Sequence, residues 1–228
     1  MIVKLFLLLA TVVVALTGCA STSLVEPIGT INSAPQNITN AELNKDVLVF
    51  GRILWIQNGE ERNDYYSTYG WNIWPKYFRV EDESNGTLGV DNDGRFAWQL
   101  PRGTYIAYHL RWFDSWDGLH RLPLRLAFQV PEPQKAYCIG TIIVNLTAKR
   151  DLIGGLWIKG WDIDLDDSCE QDSIWFQQHY SNLTIPIETT PLVYDPDIPD
   201  NIHGLERKEN MADFIRAIYP LFLPVEME

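Results

Sequence analysis

The chain has 228 residues, 46% of them hydrophobic, which is enough for one domain of ordinary size with a long tail or for two small ones. It carries 30 acidic against 18 basic residues, a formal net charge of -12, which argues against nucleic acid and against docking on anionic lipid headgroups. No G-x-S-x-G nucleophile turn and no H-E-x-x-H pair occurs, so the chain reads as a protein without catalysis, cofactor or metal.

The N-terminus opens with one basic residue, Lys4, an apolar run from Leu5, and the stretch Leu16-Thr17-Gly18-Cys19. A basic start, a short apolar region and small residues before a cysteine describe a secretory signal over residues 1–18. The run is shorter than the roughly 20 residues of a membrane-spanning helix. Leu16-Thr17-Gly18-Cys19 resembles a bacterial lipobox. That resemblance implies a lipoprotein with acyl chains such as palmitate on Cys19, and two or more chains anchor stably. Ala20, rather than Asp, follows the cysteine, as in Gram-negative lipoproteins sorted to the outer membrane. The expectation is a lipid-anchored outer-membrane protein, periplasmic or surface-facing. Residues 19–45, rich in Ser, Thr, Asn and Pro, read as a flexible tether.

From Asp46 the pattern becomes that of strands. Val47 to Ile56 is nearly all apolar and fits a strand buried on both faces. Residues 57–75 read as a polar, aromatic-rich loop, and Lys76 to Asp82 as a short strand. Asn85-Gly86 is a two-residue hairpin signal, since both positions of a type I′ turn need positive φ. Asp93-Gly94 turns again. Phe96, Trp98 and Leu100 then share one face. Ile106, Tyr108, Leu110 and Trp112 share a face of the next strand, with His109 and Arg111 opposite. Leu122, Leu124, Leu126, Phe128 and Val130 alternate likewise, and Pro123 places that strand at an edge or a bulge. Ala136 to Leu146 is apolar on both faces and is expected at a sheet centre. Ile153 to Leu165 sets Trp157, Trp161, Ile163 and Leu165 on one face. Residues 46–167 thus predict an antiparallel β-sandwich.

Residues 168–228 form a C-terminal extension. A short helix is expected over 172–180 with Asp172 as N-cap, then a Pro-rich strap over 184–200. Met211, Phe214, Ile215, Ile218 and Tyr219 fall at helical spacing, which predicts a C-terminal α-helix packed on the sandwich.

Asp93-Gly94-Arg95-Phe96-Ala97-Trp98-Gln99-Leu100-Pro101-Arg102-Gly103-Thr104-Tyr105 resembles the D-G-x-F-x-x-x-L-P-x-G-x-Y pattern of prealbumin-like sandwiches, the family of carboxypeptidase regulatory-like and transthyretin-like domains. Tyr137-Cys138-Ile139-Gly140-Thr141 is similar to the Y-I-G-T strand of uncharacterised bacterial lipoproteins with such domains, with Cys138 inserted. The resemblance covers residues 46–165. It implies a mainly β, prealbumin-like fold and leaves function open, because such sandwiches serve as adhesive, carbohydrate-binding and structural modules.

Three groups of residues are candidates for a role beyond packing. Cys138 and Cys169 are either a disulfide, favoured outside the cytoplasm, or two buried thiols. Asp162, Asp164, Asp166 and Asp167 begin like a calcium loop, but Asp167 and Ser173 stand where Gly and Glu are needed, so a solvated strand end is expected. Tyr65, Tyr66, Tyr69, Trp71 and Trp74, with Trp112 and Trp116, form either a ligand-binding surface or rings folded back over the sandwich. The four histidines, His109, His120, His179 and His203, read as ordinary rather than as a zinc set. The functional expectation is a non-catalytic, structural or protein-binding envelope protein. The alternative is a carbohydrate- or peptidoglycan-binding lipoprotein that uses exposed Trp/Tyr loops.

Overall fold

The computed structural model describes residues 30–62, 73–114, 118–150 and 156–200. The expected signal, Cys19, the aromatic residues from Tyr65 to Trp71, Trp116 and the helix over 211–219 lie outside the described residues.

The described chain is mainly β, in two sheets. The first contains β1 (Thr30–Ile31), β4 (Ile73–Arg79), β5 (Asn85–Leu88), β7 (Gly103–Asp114), β8 (Gly118–Val130) and β12 (Val193–Tyr194), in the order β1-β5-β4-β7-β8-β12. The second is built on β2 (Asp46–Gln57) and β9 (Ala136–Arg150). β3 (Glu60–Glu61) and β6 (Arg95–Pro101) pair with β2, while β10 (Leu156–Asp166) and β11 (Ile187–Thr189) pair with β9. Both sheets are mixed, which departs from the all-antiparallel expectation: β1 with β5, β2 with β9 and β9 with β11 run parallel. The β2–β9 pair can be parallel because it is covered on both faces, as parallel strands require.

That double burial is visible residue by residue. Val47, Val49, Ile53 and Trp55 join a core shared with Tyr105, Leu110, Trp112 and Phe128 of the first sheet. Leu48 and Phe50 point the other way, into a second cluster with Phe176 and Tyr180. β9 is buried on both faces in the same manner, with Tyr137 and Ile139 in the first cluster and Ala136 and Cys138 in the second. Gly140, at φ 76, carries the register shift between β2 and β9. A Cβ there would lie 2.3 Å from the Asp166 carbonyl oxygen, so only glycine lets β10 end so close.

The Asp93–Tyr105 motif has a physical basis. Gly94 turns at φ 81 and donates its N–H to the Asp91 carbonyl at 2.9 Å. Phe96, Trp98 and Leu100 enter the shared core, and the Tyr105 hydroxyl donates to the Pro101 carbonyl at 2.7 Å. The turn expected at Asn85-Gly86 falls earlier. Those residues are in β5, and the chain reverses over 80–84, where Glu83 takes φ 58. Asp82 stabilises that turn by accepting from the Ser84 hydroxyl at 2.7 Å and from Arg79 at 2.6 Å.

Two bulges overturn the expected faces. In β7 the register shifts between Ala107 and His109 against both neighbours. The core residues are therefore Tyr105 and Ala107, then Leu110 and Trp112, while Ile106 and Tyr108 are buried on the opposite face. One extra residue reverses every side chain beyond it. Pro123 stands at the margin of the same bulge, in keeping with its missing N–H. In β10 the shift lies between Ile158 and Gly160. Ile158 and Ile163 consequently pack on the core, and Trp157 leaves the face of Trp161.

Residues 30–45, expected within the tether, are packed. Ala34, Ile38 and Leu43 are buried with Phe176 and Tyr180, and the Tyr180 hydroxyl donates to the Ala34 carbonyl at 2.7 Å. The single described helix, α1 (Glu170–His179), lies over this outer layer, with Phe176 stacked on Phe50 at 4.3 Å. Its N-cap is Cys169 rather than Asp172, and the cap makes no side-chain hydrogen bond.

Candidate functional site

The described members of the expected aromatic surface are buried, Trp112 in the shared core and Trp74 on the opposite face of its sheet. Trp112 is 0% exposed and meets Trp55 edge-on at 5.1 Å, and Trp74 is 6% exposed. A ring without an open face cannot stack on a sugar. Their polar sequence neighbours disguised them: in β4 (Ile73–Arg79), Lys76 and Arg79 flank positions buried on both faces.

Among the described residues, the exposed rings are elsewhere. Trp157 is 68%, Trp161 41% and Tyr194 50% exposed, and Leu165 adds apolar surface at 36%. Among the described residues β10 pairs with β9 alone, so its other edge is open. Trp161, Asp162, Ile163 and Tyr194 line a shallow cleft of about 230 Å³ where β10 of one sheet meets β12 of the other. Two rings, a carboxylate and an unpaired strand edge thus share one rim of the molecule. The alternation in 153–165 placed Trp161 correctly, but nothing in the sequence marks the bulge at Lys159.

Cys138 and Cys169 are joined by a disulfide, with Cα atoms 6.1 Å apart. It ties the N-cap of α1 to the central strand β9. Beside it Asp172 is 4% exposed. Burial pushes its carboxyl above the usual range, opposed by Arg95 at 3.9 Å and by the Thr141 hydroxyl, which donates at 3.4 Å. This buried group secures the helix.

Asp162, Asp164 and Asp166 alternate along β10, and Asp164 accepts from the Asn145 amide at 2.7 Å. Among the described residues no group of three or more His, Cys, Asp or Glu side chains is placed to hold a metal ion. His109 and His120 do not converge across their hairpin. His120 pairs with Trp112 on the core face and stacks on it at 4.7 Å, whereas His109 pairs with Pro123 on the other face. His179 lies on α1 and accepts a hydrogen bond from the Gln36 amide at 2.9 Å.

His109 is 9% exposed, and burial pushes its ring down to about 4. The Asp200 backbone favours the charged ring but is outweighed by burial and by Arg111, Arg121 and Lys76. Because the folded pKa lies below the ordinary 6.5, the contribution to stability is complete above about 6.5 and is lost as pH falls toward about 4. Thermal melts from pH 7 to pH 4.5 should therefore show a smaller loss for His109→Gln than for wild type. Parallel profiles would contradict this reading.

No protein-family model matches the chain, and no curated protein matches it. Among solved structures it is similar to 3-chlorocatechol 1,2-dioxygenase from Rhodococcus opacus 1CP, at 8% identity and a TM-score of 0.19, over 72% of this chain and 64% of that one. The match spans less than two thirds of that enzyme, and a likeness so slight carries no argument about this chain. Among the described residues, no helix is long and apolar enough to cross a membrane.

Proposed function

We propose that the protein is a lipid-anchored envelope protein, held by acyl chains on Cys19, whose non-catalytic role is to bind another envelope protein. Its two sheets serve as a prealbumin-like sandwich that presents the binding rim. The carrying observation is the open β10 edge with Trp157, Trp161 and Tyr194 exposed beside it. An open edge pairs with an extended segment through main-chain hydrogen bonds, and rigid aromatic rings supply contact area at low entropic cost. The Cys138–Cys169 bond suits an oxidising compartment outside the cytoplasm. A glycan is the second reading, favoured by the Asp162 carboxylate between the rings of the cleft.

A photocrosslinking residue at Leu165, used in intact cells, tests the leading reading. The expected result is one protein adduct of discrete mass. It should be lost when Trp157, Trp161 and Tyr194 are all changed to Ala, with the melting temperature unchanged. Absence of an adduct together with retention on purified sacculi would favour the glycan. Absence of both would overturn the binding role of this rim.

A further inference from the structure

A second feature lies on the opposite sheet, on the face turned away from the shared core. Trp74, Arg111 and Arg121 stand in one cross-strand row of β4, β7 and β8, and Lys76, His109 and Pro123 stand in the next. Three cations and a histidine thus occupy two adjacent rows. Arg111 and Arg121 face each other directly, and like charges at such positions destabilise a sheet.

The arrangement is unusual within this chain. Carboxylates outnumber cations by 30 to 18, and four of the half-buried cations elsewhere are paired with them. Arg52 pairs with Glu61, Arg79 with Asp82, Arg95 with Asp93 and Lys135 with Glu188, at 2.6 to 3.0 Å. Lys76, Arg111 and Arg121 have no such partner among the described residues. Among the described residues Lys76 donates to the Thr87 hydroxyl. Burial and Arg111 hold the Lys76 ammonium below its usual range, and burial and Arg121 do the same to Arg111. Both ring nitrogens of His109 are buried, and the ring meets the Asp200 backbone. The bulge at Tyr108 puts His109 and Arg111 on this face, because without it they would point into the core.

We infer that Lys76, His109, Arg111 and Arg121 form a binding site for a phosphate group. Two guanidinium groups offer paired donors that match tetrahedral oxyanions, and an ammonium adds a point charge. A bound dianion would neutralise the like-charge row, and protonation of His109 beside it would add a second N–H donor. The net charge of -12 repels an anionic membrane plane, so the expected ligand is a soluble phosphate compound rather than a lipid headgroup.

Calorimetric titration of the full chain with inorganic phosphate and with pyrophosphate at low salt tests the site. A parallel arm measures co-sedimentation with vesicles of phosphatidylcholine alone and with added phosphatidic acid. Wild type should bind pyrophosphate, and Arg111→Ala and Arg121→Ala should each weaken binding about tenfold or more, the effect of losing a charge-assisted hydrogen bond. Lys149→Ala, an exposed cation on the other sheet, should leave it unchanged. Without ligand both arginine variants should melt at or above the wild-type temperature, since a like charge has been removed. Binding to the phosphatidic acid vesicles that is lost in the same variants would keep the site and assign it to a headgroup. No binding in either arm, or equal binding by the arginine variants, would overturn the inference.

Discussion

The Cys138→Ser/Cys169→Ser double variant is expected to be less stable than wild type by about 3.5 kcal/mol, the chain-entropy value for a loop of this length. The bond closes a separation of 31 residues, and cutting it returns that closure entropy to the unfolded chain. For a domain of this size the loss corresponds to a fall of about 10 °C in melting temperature. The native contacts around the bond remain: Phe176 still stacks on Phe50, and Tyr180 still reaches Ala34. The folded structure should therefore be retained at 25 °C, and wild type treated with reductant should melt with the variant. A loss under 1 kcal/mol in urea unfolding would mean that the outer layer already holds this loop in the unfolded ensemble.

Trp98→Ala is expected to cost about 4 kcal/mol, the range for deleting a large buried aromatic. Trp98 is 1% exposed and lies parallel to Phe96 with ring centroids 3.7 Å apart. Its indole N–H donates to the Gly89 carbonyl at 2.6 Å and ties β6 to the segment after β5. The alanine variant loses the stack and the packing, and it leaves that carbonyl without its donor. Trp98→Phe keeps a ring and loses the N–H, so it should cost only about 1–2 kcal/mol. Urea unfolding at constant m checks both values. Equal losses for the two variants would show that the hydrogen bond, not the ring volume, dominates.

Alternation identifies the buried face of a strand only while its register is unbroken. Phe96, Trp98 and Leu100 were legible because β6 pairs with β2 in continuous register. Ile106 and Tyr108 were not, because one inserted residue in β7 changes which parity faces the core. The central strands were recognisable from apolar residues on both faces, but their parallel pairing was not, since alternation carries no direction. The packing of residues 30–45 was hidden by their polar composition. Only Ala34, Ile38 and Leu43 are buried there, and their spacing follows neither a helix nor a strand. The disulfide was legible as one of two readings because the chain has only two cysteines besides Cys19. The exposed rim of Trp157, Trp161 and Tyr194 was missed as a site. Its members come from two strands, with Trp161 and Tyr194 33 positions apart, and only tertiary structure brings them together.

Incorporation of labelled palmitate shows whether Cys19 carries the proposed lipid anchor. Wild type and Cys19→Ala would be expressed in a Gram-negative host, labelled, and fractionated into membrane and soluble pools. Label and membrane recovery are expected for wild type, with loss of both in Cys19→Ala. Equal absence of label in the two proteins, with wild type in the soluble pool, would contradict the anchor.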